Sequence, residues 1–118
     1  MTRLPIGTIV YARYTYGGET CLYHFYRIEG YTEKSVRITR LETETVYDDG
    51  KKGPHYYNDP YHVRPKMIDG KYAIDSRLYK SLRKLYTNSR GEMKFKPEEF
   101  LSYQGPWDGQ PLEAYNYH

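Results

Sequence analysis

The chain has 118 residues, 18 Lys/Arg against 15 Asp/Glu, a formal net charge of +3, and 16 Tyr beside three Phe and one Trp. That length suits one domain that buries its own core and leaves no room for a deep cleft between two domains. Ile, Leu, Val and Phe together are fewer than a fifth of the residues, a level at which disorder is suspected, but the aromatic content and the low net charge argue for a folded chain.

A phenol ring is apolar over its body and needs a partner for its hydroxyl when buried, so this much Tyr implies a hydrogen-bonded core, an adhesive surface, or both. The single cysteine, Cys21, excludes an intramolecular disulfide, and the N-terminus shows no long apolar run or small-residue cleavage site, so a cytoplasmic setting is expected. No stretch approaches the ~18 apolar residues that insertion across a membrane requires.

In chain order, Thr8 to Tyr16 is β-branched or aromatic almost throughout and stops at Gly17-Gly18, which predicts a first strand and a turn. Cys21 to Glu29 alternates Leu22, His24, Tyr26 and Ile28 against Cys21, Tyr23, Phe25 and Arg27, so both faces carry apolar surface and the strand is expected to be central. Ser35 to Leu41 places Val36 and Ile38 on one face and predicts a third, half-exposed strand. Thr43 to Tyr47 continues the meander to a turn at Asp48-Asp49-Gly50. Pro54, Pro60 and Pro65 argue against a central strand within residues 51–66. Asp69-Gly70 then predicts a hairpin between Val63–Ile68 and Lys71–Ile74.

Asp75 or Ser76 makes a good N-cap for a helix to Tyr86, with Leu78, Leu82 and Leu85 on one stripe and Arg77, Lys80, Arg83 and Lys84 off it. Asn88 and Gly91 stand where such a helix stops. Met93 to Lys96 alternates as a short strand, Pro97-Glu98-Glu99-Phe100 resembles a helix opening, and the tail from Gln104, with Pro106, Gly109 and Pro111, is expected to be loop.

The charge is uneven. Residues 71–96 hold Lys71, Arg77, Lys80, Arg83, Lys84, Arg90, Lys94 and Lys96 against Asp75 and Glu92, while the rest of the chain is net acidic. Cations interleaved with Tyr79, Tyr86 and Phe95 suit phosphate contacts with base stacking, or an acidic protein face; a solvated helix surface has the same composition. Tyr56, Tyr57 and Tyr61 on a Pro-constrained stretch with His55 and His62 offer rigid, amphipathic contact area, or rings that plug the open end of a barrel.

Cys21 and His24 with His55 or His62 are zinc-ligand types, but Cys21 and His24 belong to one strand, where side chains alternate between faces, so no metal site is expected. The same residues lack the oxyanion donors and orienting group of a cysteine nucleophile. Asp48/Asp49 and Glu98/Glu99 read as turn and helix-start acids, and no glycine loop precedes a helix as phosphate binding requires. No enzyme, cofactor or metal is expected.

Tyr14-Thr15-Tyr16-Gly17-Gly18-Glu19-Thr20, Phe25-Tyr26-Arg27-Ile28 and Lys34-Ser35-Val36-Arg37-Ile38, with the closing Pro106-Trp107-Asp108-Gly109-Gln110-Pro111 and then Tyr115 and Tyr117, resemble a group of small, uncharacterised proteins of bacteriophages and other mobile elements. The similarity covers roughly residues 6–42 and 104–118. Gly18 stands where that group usually has Tyr, and Gln110 where it has Lys. The resemblance implies a small antiparallel β-barrel and an accessory role, and it brings no established activity or catalytic residue.

The expected fold is mainly β, one domain of residues 1–118: an SH3-like small barrel over about 6–74, a basic helix at 76–86 packed on its side, and a strand with an aromatic clasp over 92–118. Residues 43–75 complete that barrel or form a separate hairpin layer. In the clasp Trp107 caps the barrel, Asp108-Gly109 turns the chain, and Tyr115 and Tyr117 pack back on the first strands. The expected function is non-enzymatic docking on a host or phage macromolecule, foremost a protein, with inhibition of a bacterial defence system as one concrete form. The alternative is direct nucleic-acid binding through residues 77–96.

Overall fold

The computed structural model describes residues 2–18, 20–46, 61–78 and 80–116. β1 (Ile9–Tyr16) and β2 (Thr20–Tyr31) form an antiparallel hairpin in register from Tyr16↔Thr20 to Ile9↔Arg27. Gly17 and Gly18 take φ of 63° and 113° in its turn, a region that side chains resist. β3 (Ser35–Leu41) pairs with the second half of β2 across a bulge between Ile28 and Gly30, and β8 (Leu82–Lys84) pairs with β3.

β11 (Ser102–Pro106) lies on the other side of β1. At the start of β2, Thr20 and Cys21 pair with β12 (Leu112–Asn116), which pairs in turn with β5 (Tyr61–Pro65), and β5 with β4 (Thr43–Val46). β3 and β12 thus share one edge of β2 in succession, and the sheet forks there.

Two short hairpins stand apart. β6 (Met67–Ile68) and β7 (Lys71–Tyr72) turn at Asp69 and Gly70, both at positive φ, as a two-residue hairpin demands. β9 (Tyr86–Thr87) and β10 (Met93–Lys94) are joined by a turn in which Asn88 Oδ1 accepts the backbone N–H groups of Arg90 and Glu92 at 2.9 and 3.0 Å.

The fork produces two cores. Val10, Ala12, Tyr26, Ile28, Val36 and Ile38 face one side of β1, β2 and β3 and are covered by Leu85, Met93 and Phe95. Phe25 and Leu41 face the other side and meet Val63 and Ala114, with Tyr11, Tyr23, Tyr61 and Trp107 around them. The expectation that β2 is central holds, since both of its faces are packed.

Two tyrosine hydroxyls bridge segments: Tyr26 donates to the Glu98 carboxylate, and Tyr31 donates to the Leu4 carbonyl at 2.6 Å. Trp107 packs edge-on against Phe25, centroids 5.5 Å apart, a geometry worth roughly 0.5–1.5 kcal/mol beyond burial. Its indole N–H donates to the Gln110 carbonyl at 2.7 Å, while Asp108 Oδ1 accepts the Gln110 N–H and Gly109 turns the chain at φ 89°. Tyr115 pairs with Cys21 on β2; Tyr117 lies outside the described residues.

Several expectations fail. The strands do not close into a barrel, SH3-like or otherwise: the eight-stranded path ends at β11 and β4, which do not pair, because each face of the central strands is covered by its own layer. No helix occupies 76–86 among its described residues. Asp75 Oδ1 does accept the Arg77 N–H at 3.0 Å, as a cap would, but the turn is not propagated, because the chain supplies β3 with an edge partner at Leu82–Lys84 and drives Leu85 into the first core.

Pro97–Phe100 is likewise a turn and not a helix opening, and the tail forms β11 and β12. β5 is flanked by β4 and β12 despite Pro65, which stands at its last position, beyond the final pairing with β12 at Val63. β4 does not continue the meander, because it pairs with β5 while β3 takes β8 as its neighbour, and the Asp48-Asp49-Gly50 turn lies outside the described residues.

Candidate functional site

β8 is an edge strand, and its alternation sets the surface around it. Leu85 just beyond it points inward and is buried, while Leu82, Lys84 and Tyr86 point out, Leu82 being 43% and Tyr86 53% exposed. Arg83 Nε donates to the Lys96 carbonyl at 2.6 Å, which brings Lys96 near β8.

The result is a cleft of about 320 Å³ lined by Lys80, Leu82, Arg83, Lys84, Tyr86 and Lys96. A second, of about 420 Å³, continues past Lys80 and Arg83 to Pro97, Glu98 and Glu99. Lys96 Nζ lies 3.4 Å from Glu99, an exposed pair worth at most about 1 kcal/mol. Lys80, Arg83, Lys84 and Tyr86, which the expected helix would also have grouped, are joined by Lys96 from beyond β10 on one concave basic face.

The remaining sequence candidates go elsewhere. Arg77 forms a bidentate pair with Asp75, at 2.8 and 2.7 Å, beside a different cavity. Arg90 and Lys94 border a groove of about 350 Å³ with Met93 and Tyr103, and Lys94 Nζ sits 5.4 Å from the Tyr103 ring centre. Tyr61 is half-buried against the second core, where burial raises its pKa. Tyr56, Tyr57, Tyr79 and His55 lie outside the described residues.

A cavity of about 500 Å³ is lined by His24, Arg40, Asp75 and Arg77 together with Tyr23 and Tyr61. Arg40 is its hub: Nε lies 3.2 Å from Asp75, Nη1 donates to Glu98 at 2.9 Å, and Nη2 faces His24 Nδ1 at 3.0 Å. The Asp75 carboxyl is held well below the ordinary range, first by the Arg77 hydrogen bond. Burial and then the Arg40 charge lower the His24 pKa, which favours a neutral ring accepting at Nδ1.

Tyr26 is pushed up by burial and by Glu98, and Tyr23 is pushed up to about 12 by burial and its contact with Cys21. These contacts tie β2 and β3 to the segments at Asp75 and Glu98. Cys21 and His24 stand on opposite faces of β2, and no group of three His, Cys, Asp or Glu among the described residues is placed to hold a metal ion.

Sequence reasoning missed Leu82 and Phe100. Leu82 fits a helix stripe as a core residue and becomes exposed only because the segment is a strand. Phe100 is 81% exposed and holds φ at 64°, a conformation that bulky side chains rarely adopt, in the turn that borders the basic face. No sequence signal marks it.

No protein-family model, curated protein or solved structure matches the chain. Among the described residues no helix is long and apolar enough to cross a membrane.

Proposed function

We propose that this chain is a non-enzymatic binding protein of the phage or mobile-element type that docks on an acidic host or phage macromolecule through the face formed by Lys80, Arg83, Lys84 and Lys96 around Leu82 and Tyr86. The observation that carries it is the convergence of four cations on a concave surface holding two exposed apolar side chains. Charges of one sign steer an acidic partner and fix its orientation, while a Tyr and a Leu supply anchoring area, the division of labour common at protein interfaces.

A protein partner in the bacterial cytoplasm is the leading form, with antagonism of a defence system as its concrete biological case; the terminal Trp107-Asp108-Gly109 motif and the strand sequences that resemble mobile-element proteins support it. The test is affinity capture from bacterial lysate with and without nuclease. A nuclease-resistant, stoichiometric protein upholds the proposal, and bound material that disappears with nuclease defeats it.

Direct nucleic-acid binding is the alternative, favoured by one feature, the exposed Tyr86 ring among four cations, which suits stacking of an unpaired base. It predicts affinity that falls steeply with salt, the slope dropping by about one unit for each Lys or Arg replaced by Ala.

A further inference from the structure

The backbone of the basic face has an open edge. Ser81 and Leu85 direct their backbone groups at β3, through Ile38 N–H to Ser81 O at 2.8 Å and Leu85 N–H to Lys34 O at 2.9 Å, and Arg83 stands opposite Val36 between them. In an antiparallel ladder the alternate residues point the other way, so the N–H and C=O groups of Leu82 and Lys84 face outward, with no backbone partner among the described residues.

One residue pair further along, Tyr86 and Thr87 are paired by β10. After Lys94 the chain leaves that ladder, and Pro97, which has no N–H to give, is buried. Strand pairing therefore stops at the point where Lys80, Lys84 and Lys96 gather.

We propose that this edge accepts an extended acidic segment of the partner protein, which adds to β8 as a further strand in line with β10. The inference rests on the docking function proposed above and names its partner's chemistry. Two outward N–H and two outward C=O groups call for a peptide backbone, which offers both acceptors and donors. A phosphodiester backbone offers acceptors alone and would set anionic oxygens against the carbonyls of Leu82 and Lys84. The alternating side chains of an added strand bring carboxylates to the surrounding cations, with apolar side chains on Leu82 and Tyr86.

The experiment titrates the ¹⁵N-labelled full chain with three probes: a short peptide alternating Glu and Val, the same peptide N-methylated at two adjacent central residues so that both of its edges are blocked, and a short thymidine oligonucleotide. The Glu/Val peptide is expected to bind, to shift the Leu82 and Lys84 amide resonances and slow their exchange, and to weaken by about tenfold on N-methylation. Equal affinity for the N-methylated peptide overturns strand addition while leaving the basic docking face intact. Tighter binding of the oligonucleotide overturns the partner class. Binding of none of the three, with self-association of Lys80→Ala/Lys84→Ala, overturns both the edge proposal and the docking face, and makes the lysines guards against edge-to-edge aggregation.

Discussion

The central strands β1, β2 and β3 and the segment from Asp75 to Leu101 use sequence in opposite ways. In the first, alternation predicts the strands and the strands bury what alternates, so Val10, Tyr26, Ile28, Phe25 and Leu41 all reach a core. In the second, the strands are pieces of two or three residues, β8 held by the distant β3 and β9 and β10 only by each other, and most of the charge stays outside. Regular alternation thus concentrates stability in one region, and its absence leaves the other free to present cations, an open edge and exposed Leu82, Tyr86 and Phe100.

The largest expected effect breaks the first region. Phe25→Ala removes a fully buried ring and its contact with Trp107, and denaturant unfolding should show a loss of about 3–5 kcal/mol. A loss under about 1 kcal/mol would mean that the second core does not bear the fold.

Acid sharpens the junction between the regions. Asp75, whose side chain is 5% exposed, is held below its ordinary value of 3.8, so the folded state takes up its proton less readily than the unfolded state. Its contribution is complete above that ordinary value and is lost as pH falls toward the lower, folded value. Melting temperature should therefore drop between about pH 5 and about pH 2, and Arg77→Ala, which removes the principal cause of the shift, should flatten that drop.

Phe100 tests strain in the second region. Phe100→Gly relieves a positive φ and uncovers almost no buried surface, and should stabilise the chain by about 1 kcal/mol in denaturant unfolding. Destabilisation would contradict the geometry of that turn. The smallest effect on folding belongs to the basic face: Lys84→Glu should leave stability within about 0.5 kcal/mol while abolishing steered docking.

Legibility followed the same division. β1 to β4 as strands and the Asp69-Gly70 hairpin were readable because a two-residue period and turn glycines are local signals, but the pairing of β4 with β5 was not. The basic face was readable as composition but not as geometry: Leu78, Leu82 and Leu85 match a helical stripe, and only the demand of β3 for a neighbour makes Leu82 a surface residue. β11 holds Gly105 and Pro106 and lacks strand patterning; its pairing with β1, bulged at Tyr11/Ala12, is a tertiary fact. The fork that excludes a closed barrel depends on β12 meeting Thr20 and Cys21 from the far end of the chain, which no local period encodes.

The most direct measurement compares wild type with the triple variant Lys80→Glu/Lys84→Glu/Lys96→Glu in parallel capture from nuclease-treated lysate, with the melting temperature of each recorded. A preserved melting temperature and loss of the captured protein is the predicted result. Capture of the same protein by a folded triple variant would contradict the claim that this face is where the chain docks.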